Sequence, residues 1–209
     1  MSAATFLALG DSYTVGEGVP EHECWPERLS ARLRQAGVAT DDPQVIARTG
    51  WTTAELSAAM DGAGLHPPYD LVTLLIGVNN QYRGRSQDEY RAQFRALLAR
   101  AIALAGKTAQ RVIVISIPDW GVTPFARGEG RDPRQVAAQI DAFNTIAREE
   151  AGALHARHVD ITGISRAPTT RNLLAADGLH PSGAQYARWV DAIAPLAAAA
   201  LKNPPDDLP

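Results

Sequence analysis

Residue types that could act together in catalysis lie near the two ends of this chain. Ser12 directly follows a short apolar segment, and Asp177 precedes His180 by three residues in Asp177-Gly178-Leu179-His180-Pro181. A tight turn at Gly178 would let the Asp177 carboxylate reach Nδ1 of the imidazole. The imidazole Nε2 would then be free to take the hydroxyl proton of Ser12. This combination predicts nucleophilic attack by an activated serine on an acyl group.

Two further residues could donate hydrogen bonds to the oxyanion that such an attack creates. Gly50 offers a backbone N–H that no side chain shields, and Asn79 offers a side-chain amide. Each residue alone is typical of a turn, just as Gly10-Asp11-Ser12 alone is typical of a helix cap. If the fold brings them together beside Ser12, they form an oxyanion hole.

The elements that must position these residues can be read from the hydrophobic pattern. The predicted strands are Thr5–Leu9, Gln44–Ala47, Leu71–Ile76, Arg111–Ile117 and Val159–Ile161. Continuous apolar segments of this kind are typical of parallel strands that are covered on both faces. Helices are predicted from Pro26 to Arg34, after a Ser86/Glu89 capping box, after Asp132, and from about Ser182 with a kink at Pro195.

Strands that alternate with helices predict a doubly wound sheet, and ligands bind such sheets beyond the carboxyl ends of the strands. The loops 10–12, 48–50, 77–80 and 118–120 should therefore gather at one rim. We predict an α/β protein, a three-layer α/β/α sandwich with a five-stranded parallel sheet. One domain should cover residues 1–201, with a flexible tail over 202–209.

Composition excludes several classes of protein. The 209 residues are 45% hydrophobic and 21% charged, with a net charge of −3, which is typical of a globular domain. No basic patch of the kind that nucleic acids require is present, and Arg83 and Arg85 are interpreted as solvated residues. No segment is typical of a signal peptide or membrane span, so a cytoplasmic location without integral membrane association is expected. No metal and no cofactor are predicted, and the oligomeric state stays open.

The order of these motifs resembles the four blocks of the SGNH (GDSL) hydrolase family. The blocks are Gly10-Asp11-Ser12-Tyr13, then Gly50, then Gly77-Val78-Asn79-Asn80, then Asp177-Gly178-Leu179-His180-Pro181. The resemblance implies a flavodoxin-like SGNH hydrolase fold and a triad of Ser12, Asp177 and His180. It also implies an oxyanion hole formed by the N–H groups of Ser12 and Gly50 and the amide of Asn79.

Two positions depart from the family pattern, and two other classes of function stay open. Tyr13 stands where the family usually has Leu, and Asn80 stands where it usually has Asp. Neither position holds a catalytic group, so the departures concern the subfamily. The alternatives are a phosphate- or flavin-binding module that uses the loop 10–18, and a catalytically inactive binding module of the same fold.

The resemblance implies cleavage of carboxylic esters without specifying which ester. Trp51, Tyr82, Trp120 and Phe125 follow predicted strand ends and could line an acyl or aryl pocket. The segments 13–23, 121–131 and 165–174 are short and offer little apolar surface for a lid. Short-chain acyl or acetyl esters are therefore the expected substrates, with a lysophospholipase or acyl-thioesterase activity as the alternative.

Overall fold

Five parallel strands form one sheet in the order β2-β1-β3-β4-β5 in a computed structural model that describes residues 2–169 and 171–202. The strands are β1 Phe6–Gly10, β2 Gln44–Ala47, β3 Leu71–Leu75, β4 Val112–Ile115 and β5 Arg157–Val159. In the register of the sheet, Gly10 lies opposite both Ala47 and Leu75. The loops that leave the first three strands therefore start at the same level, on one edge of the sheet.

Helices cover both faces of this sheet. They are α1 Ser12–Val15, α2 Trp25–Gln35, α3 Thr53–Gly62, α4 Val78–Tyr82, α5 Gln87–Leu104, α6 Pro124–Gly128, α7 Pro133–Ala153, α8 Thr162–Arg166 and α9 Gly183–Lys202. Helix α2 packs against α9, whereas α5 packs against α3 and α7. All residues of β1, β3 and β4 are buried between these layers, as continuous apolar strands require. The predicted α/β fold with a five-stranded parallel sheet is confirmed.

The first four predicted strands agree with the structure to within two residues at each end, whereas the last is displaced towards the amino end. The strand predicted at Val159–Ile161 is instead Arg157–Val159. Asp160 ends it, because its Oδ1 accepts hydrogen bonds from Thr162 N at 2.8 Å and from the Ser116 hydroxyl at 2.8 Å. This side-chain turn starts α8 and removes the backbone of Asp160 from the ladder.

The helix predictions are correct at the main starts but miss α3 and the short helices α1, α4, α6 and α8. Helices begin after Ser86 and Asp132, whose side chains cap the following backbone N–H groups. Helix α3 begins with a capping box in which the Glu55 carboxylate accepts from Thr52 N at 2.7 Å. Pro195 lies inside α9, which continues to Lys202. Most of the predicted tail, residues 203–209, lies outside the described residues.

The segments 13–23, 121–131 and 165–174 are predicted as short loops without a lid. Their described residues hold only short helical pieces, which are the rest of α1, helix α6, the end of α8 and the 3-10 turns Glu21–Glu23 and Trp120–Val122. In the described part of the chain, no helix combines the length and apolar character needed to cross a bilayer.

Candidate active site

Ser12 lies where the chain turns from β1 into α1. Asp11 caps this short helix, because its Oδ1 accepts a hydrogen bond from Tyr13 N at 3.1 Å. Ser12 is the first residue of the helix and is 5% exposed. The N–H groups of a first helical turn have no partner within the helix. The Ser12 hydroxyl and its own N–H therefore lie together at the rim of the sheet.

Asp177 and His180 form the pair that their spacing predicts. The Asp177 Oδ2 lies 2.6 Å from His180 Nδ1, while its Oδ1 accepts from the backbone N–H groups of Leu179 at 2.9 Å and His180 at 3.0 Å. Gly178 has a φ of +67°, a conformation that favours glycine in the tight turn between them. Burial raises the pKa of Asp177, but the hydrogen bonds from His180 and the two N–H groups outweigh it and hold the pKa below its usual value.

The loop that carries the pair is closed by backbone hydrogen bonds. Ala175 N donates to His180 O at 2.7 Å, and Ser182 N donates to Leu173 O at 2.9 Å. The imidazole is 7% exposed, and the buried ring of Tyr13 lies beside it, with a centroid distance of 5.4 Å and an interplanar angle of 59°. No hydrogen bond joins the Ser12 hydroxyl to the imidazole among the described residues. Such contacts in unliganded sites commonly tighten only when substrate binds.

Three donors stand at the same rim. Within the described residues, the backbone N–H groups of Ser12 and Gly50 donate to no acceptor. The amide of Asn79 donates one hydrogen to Trp51 O at 2.9 Å, which fixes the plane of the amide. An amide nitrogen carries two hydrogens, so the second stays available for another acceptor.

These groups meet in one cavity of about 180 Å³. Its wall is largely apolar, and the rings of Tyr82, Trp120 and Phe125 pack edge to face, with Trp120 5.4 Å from Tyr82 and 6.2 Å from Phe125. The cavity is lined by Ser12, Tyr13, Thr49, Gly50, Val78, Asn79, Tyr82, Trp120, Phe125, Leu179 and His180. The rim loops that the strand order predicts thus all contribute to one pocket.

Trp51 is the one predicted pocket residue that the cavity leaves out. It contributes its carbonyl oxygen to Asn79, and its partly buried ring packs against the hydrophobic core. Its position after the second strand predicts a place in the pocket, but its side chain is used for packing. Four further residues line the cavity without having been predicted as pocket residues, although each is adjacent to a predicted site residue: Tyr13, Thr49, Val78 and Leu179.

Asp11, next to Ser12, is an unusual buried acid. It is fully buried, and its Oδ2 has no hydrogen-bond partner among the described residues. Burial raises the pKa of Asp11 to about 7, against a partly compensating hydrogen bond from Tyr13 N. The carboxyl therefore titrates near neutral pH beside the candidate nucleophile.

No group of three or more His, Cys, Asp or Glu side chains in the described residues has the arrangement of a metal site. The polar groups of the cavity are a hydroxyl, an imidazole and N–H donors. They suit an acyl substrate whose carbonyl oxygen becomes negative during the reaction.

Comparison with known proteins identifies the class. A sequence profile of the GDSL-like lipase/acylhydrolase family matches residues 8–188, most of the chain. With the parallel sheet and the rim pocket, this match defines a hydrolase of acyl esters. The chain belongs to the GDSL-like lipase/acylhydrolase family. The family resemblance and the ester-hydrolase class predicted from the sequence are confirmed, and the flavin- or phosphate-binding alternative loses its support.

Individual relatives are distant but cover nearly the whole chain. Esterase TesA of Pseudomonas aeruginosa is 25% identical over 199 residues, which cover 93% of this chain and 88% of TesA. A crystal structure of TesA superposes with a TM-score of 0.73 at 20% identity, over 94% of this chain and 99% of that one. The acetylxylan esterase Axe2 of Geobacillus stearothermophilus superposes with a TM-score of 0.70 at 20% identity, over 94% of both chains.

A third structure is that of a psychrotrophic esterase, EstA from Pseudoalteromonas, inhibited by monoethylphosphonate. It has a TM-score of 0.72 at 17% identity and covers 96% of this chain and 100% of its own. At these identities, the superpositions show that the fold is shared. The roles of individual residues in this chain are inferred from its own geometry.

Proposed function

We propose that this protein hydrolyses carboxylic esters through an acyl-enzyme on Ser12, with His180 as general base and Asp177 as its orienting partner. One observation carries the proposal. Ser12, His180 and the three donor groups line a single apolar cavity, and the Asp177 carboxylate lies 2.6 Å from the imidazole nitrogen opposite the one that must accept a proton.

The first half of the reaction forms the acyl-enzyme. The Ser12 oxygen attacks the carbonyl carbon of the ester while its proton passes to His180 Nε2, and the carbonyl oxygen becomes an oxyanion. The N–H groups of Ser12 and Gly50 and the free amide hydrogen of Asn79 stabilise that charge. The intermediate collapses when Nε2 returns the proton to the leaving alkoxide, which departs as the alcohol.

The second half releases the acid. Water attacks the acyl carbonyl, His180 Nε2 takes the water proton, and the same donors hold the second oxyanion. Collapse returns the proton to the Ser12 oxygen and frees the carboxylic acid. Asp177 stays ionised throughout, and its low pKa supports that role.

The size of the cavity favours short acyl groups. A protein cavity of roughly 150 Å³ accommodates benzene, so about 180 Å³ leaves room for an acyl chain of roughly six carbons. The neighbouring crevice between Val122 and Leu174 has only about 10 Å³, too little to extend the chain. Acetyl to hexanoyl esters are the proposed substrates, and TesA and Axe2, named as esterases, are similar in fold.

A fluorophosphonate labelling experiment tests the nucleophile. The wild type should take up one label, which peptide mapping by mass spectrometry should assign to Ser12. Ser12→Ala should lose labelling and ester turnover while its melting temperature stays close to that of the wild type. Labelling at another serine, with activity retained in Ser12→Ala, would show that the proposed function uses a different nucleophile.

A further inference from the structure

Three consecutive residues around the Gly50 N–H are each held by a side chain from another part of the chain. The Thr49 hydroxyl donates to the Glu17 carboxylate, the Gly50 carbonyl accepts from Arg83, and the Trp51 carbonyl accepts from Asn79 Nδ2 at 2.9 Å. The oxyanion-hole segment, residues 49–51, is thus tied both to the loop after α1 and to α4.

Arg83 joins the Gly50 carbonyl to Glu55 of α3. Its Nη2 lies 2.5 Å from Gly50 O, and its Nη1 lies 3.3 and 3.2 Å from the two carboxylate oxygens of Glu55. Glu55 is itself fixed, because Thr52 N and the Thr52 hydroxyl donate to it at 2.7 and 2.8 Å. A planar guanidinium held by an anchored carboxylate can present an N–H in only one direction.

The oxyanion-hole segment needs such a contact because Gly50 has a φ of +85° and no side chain that restricts rotation about its backbone torsion angles. The direction of its N–H depends on the torsion angles on both sides of the residue. A donor stabilises an oxyanion only when it is already aimed at the oxygen, since reorientation during the reaction costs free energy.

We propose that Arg83 is a positioning residue of the oxyanion hole, which fixes the Gly50 carbonyl and so aims the Gly50 N–H into the cavity. This inference rests on the proposed function. Arg83 does not line the cavity, and its side chain is 41% exposed, so its charge is largely screened by solvent. Its effect on the reaction is therefore geometric and acts through Gly50.

Two substitutions separate geometry from charge. Arg83→Gln removes the contacts with the Gly50 carbonyl and the Glu55 carboxylate. It should lower kcat about 10-fold and leave KM nearly unchanged. This loss is smaller than the roughly 10²–10³-fold loss of kcat that is expected when an oxyanion donor is removed altogether. Arg83→Lys keeps a cation beside Glu55 but cannot hold both partners in a fixed plane. The melting temperature of Arg83→Lys should match that of the wild type, while its kcat stays reduced.

The matched control is Arg85→Gln, which removes an exposed arginine two residues further on. The Arg85 side chain contacts no described residue by a hydrogen bond or ion pair, so kcat should not change. The rate constant for fluorophosphonate labelling of Ser12 should fall in Arg83→Gln in parallel with kcat, because that reaction develops charge in the same hole.

Each outcome bears on the inference. Wild-type kcat in Arg83→Gln, or full recovery of kcat in Arg83→Lys, would reduce Arg83 to a structural ion pair and overturn it. A raised KM with unchanged kcat would make Arg83 a substrate-binding residue and overturn it as well. If Arg83→Gln fails to fold, the kcat of Arg83→Lys decides alone. Failure of the wild type to be labelled at Ser12 refutes instead the proposed function.

Discussion

Asn80 and Thr53 exchange two hydrogen bonds that join the loop after β3 to the start of α3. Thr53 N donates to Asn80 Oδ1 at 3.0 Å, and Asn80 Nδ2 donates to the Thr53 hydroxyl at 2.7 Å. That hydroxyl in turn donates to Gln93 Oε1 at 2.5 Å. Asn80 is fully buried. The bond to the Thr53 hydroxyl requires an amide hydrogen at position 80, where the family usually has a carboxylate.

Asn80→Asp should therefore destabilise this chain. An ionised carboxylate at this position cannot donate, so the Thr53 hydroxyl would turn towards it and leave Gln93 Oε1 without its donor. We expect a loss of about 1–3 kcal/mol in the free energy of unfolding at pH 7, measured by chemical denaturation. Burial raises the pKa of a carboxyl, so the loss should shrink as the pH falls towards 4 and the acid becomes a donor. Equal stability of both proteins at pH 7 would contradict this account.

Asp11→Asn should change the pH dependence of stability. The carboxyl has a pKa of about 7 in the folded protein against an ordinary value of 3.8, so the folded state binds more protons between these values. The wild type should then lose stability as the pH rises from about 4 to 7, by at most about 4 kcal/mol. Asp11→Asn keeps the cap on Tyr13 N and removes that loss.

Asp132→Asn is the matched control, since Asp132 caps α7 from an exposed position. The free energy of unfolding is measured at pH 4, 5.5 and 7.5 for the wild type and both variants. The difference from the wild type should grow with pH for Asp11→Asn and stay constant for Asp132→Asn. Parallel curves for all three proteins would mean that Asp11 stays ionised in the fold.

Asn79→Ala should lower kcat by roughly 10²–10³ with little change in KM, because the amide hydrogen that it removes from the cavity would contact the substrate mainly once the oxyanion forms. Asn79→Asp keeps the shape but loses the donated hydrogens, and should be at least as damaging. Both variants release the Trp51 carbonyl, so the melting temperature must be measured beside kcat. A lower melting temperature with unchanged kcat would assign Asn79 to loop structure alone.

Asp177→Asn should reduce kcat by about 10³–10⁴, because an amide can donate to His180 Nδ1 and so favour the tautomer that cannot accept the Ser12 proton. The two backbone bonds to Oδ1 can persist, so the fold should hold. Steady-state kinetics with a short ester, alongside circular dichroism, checks both statements. Activity within a few-fold of the wild type would remove Asp177 from the triad.

Chain-length preference should follow the size of the cavity. The wild type should cleave acetyl to hexanoyl esters with a higher kcat/KM than palmitoyl esters, measured below the micelle threshold. Phe125→Ala opens one wall of the cavity and should shift the preference towards longer chains. Val15→Ala alters an exposed apolar residue outside the cavity and should leave the profile unchanged. A higher kcat/KM for palmitoyl esters than for acetyl esters in the wild type would contradict the short-chain proposal.

The sequence predicted those features that depend on short-range signals. Apolar runs identified the strands, and parallel order then brought the strand-end loops to one rim, as the cavity lining shows. The contact between Asp177 and His180 follows from a turn of four residues. Arg83 could not be assigned in the same way, because its contact with Gly50 joins residues 33 apart and depends on how α4 packs. Tyr13 departs visibly from the family pattern, but its contact with the imidazole depends on the docking of a distant loop.

The placement of Ser12 after the first strand and His180 just before the last helix has a consequence for synthesis and folding. A chain growing from its amino end acquires the hydroxyl and the donors on β1, β2 and β3 long before the imidazole exists. A contact of such long sequence separation also requires the closure of a long loop, which costs chain entropy. Under the proposed mechanism, hydrolytic activity requires the carboxyl-terminal loop to have docked, so the recovery of activity during refolding should report completion of the site.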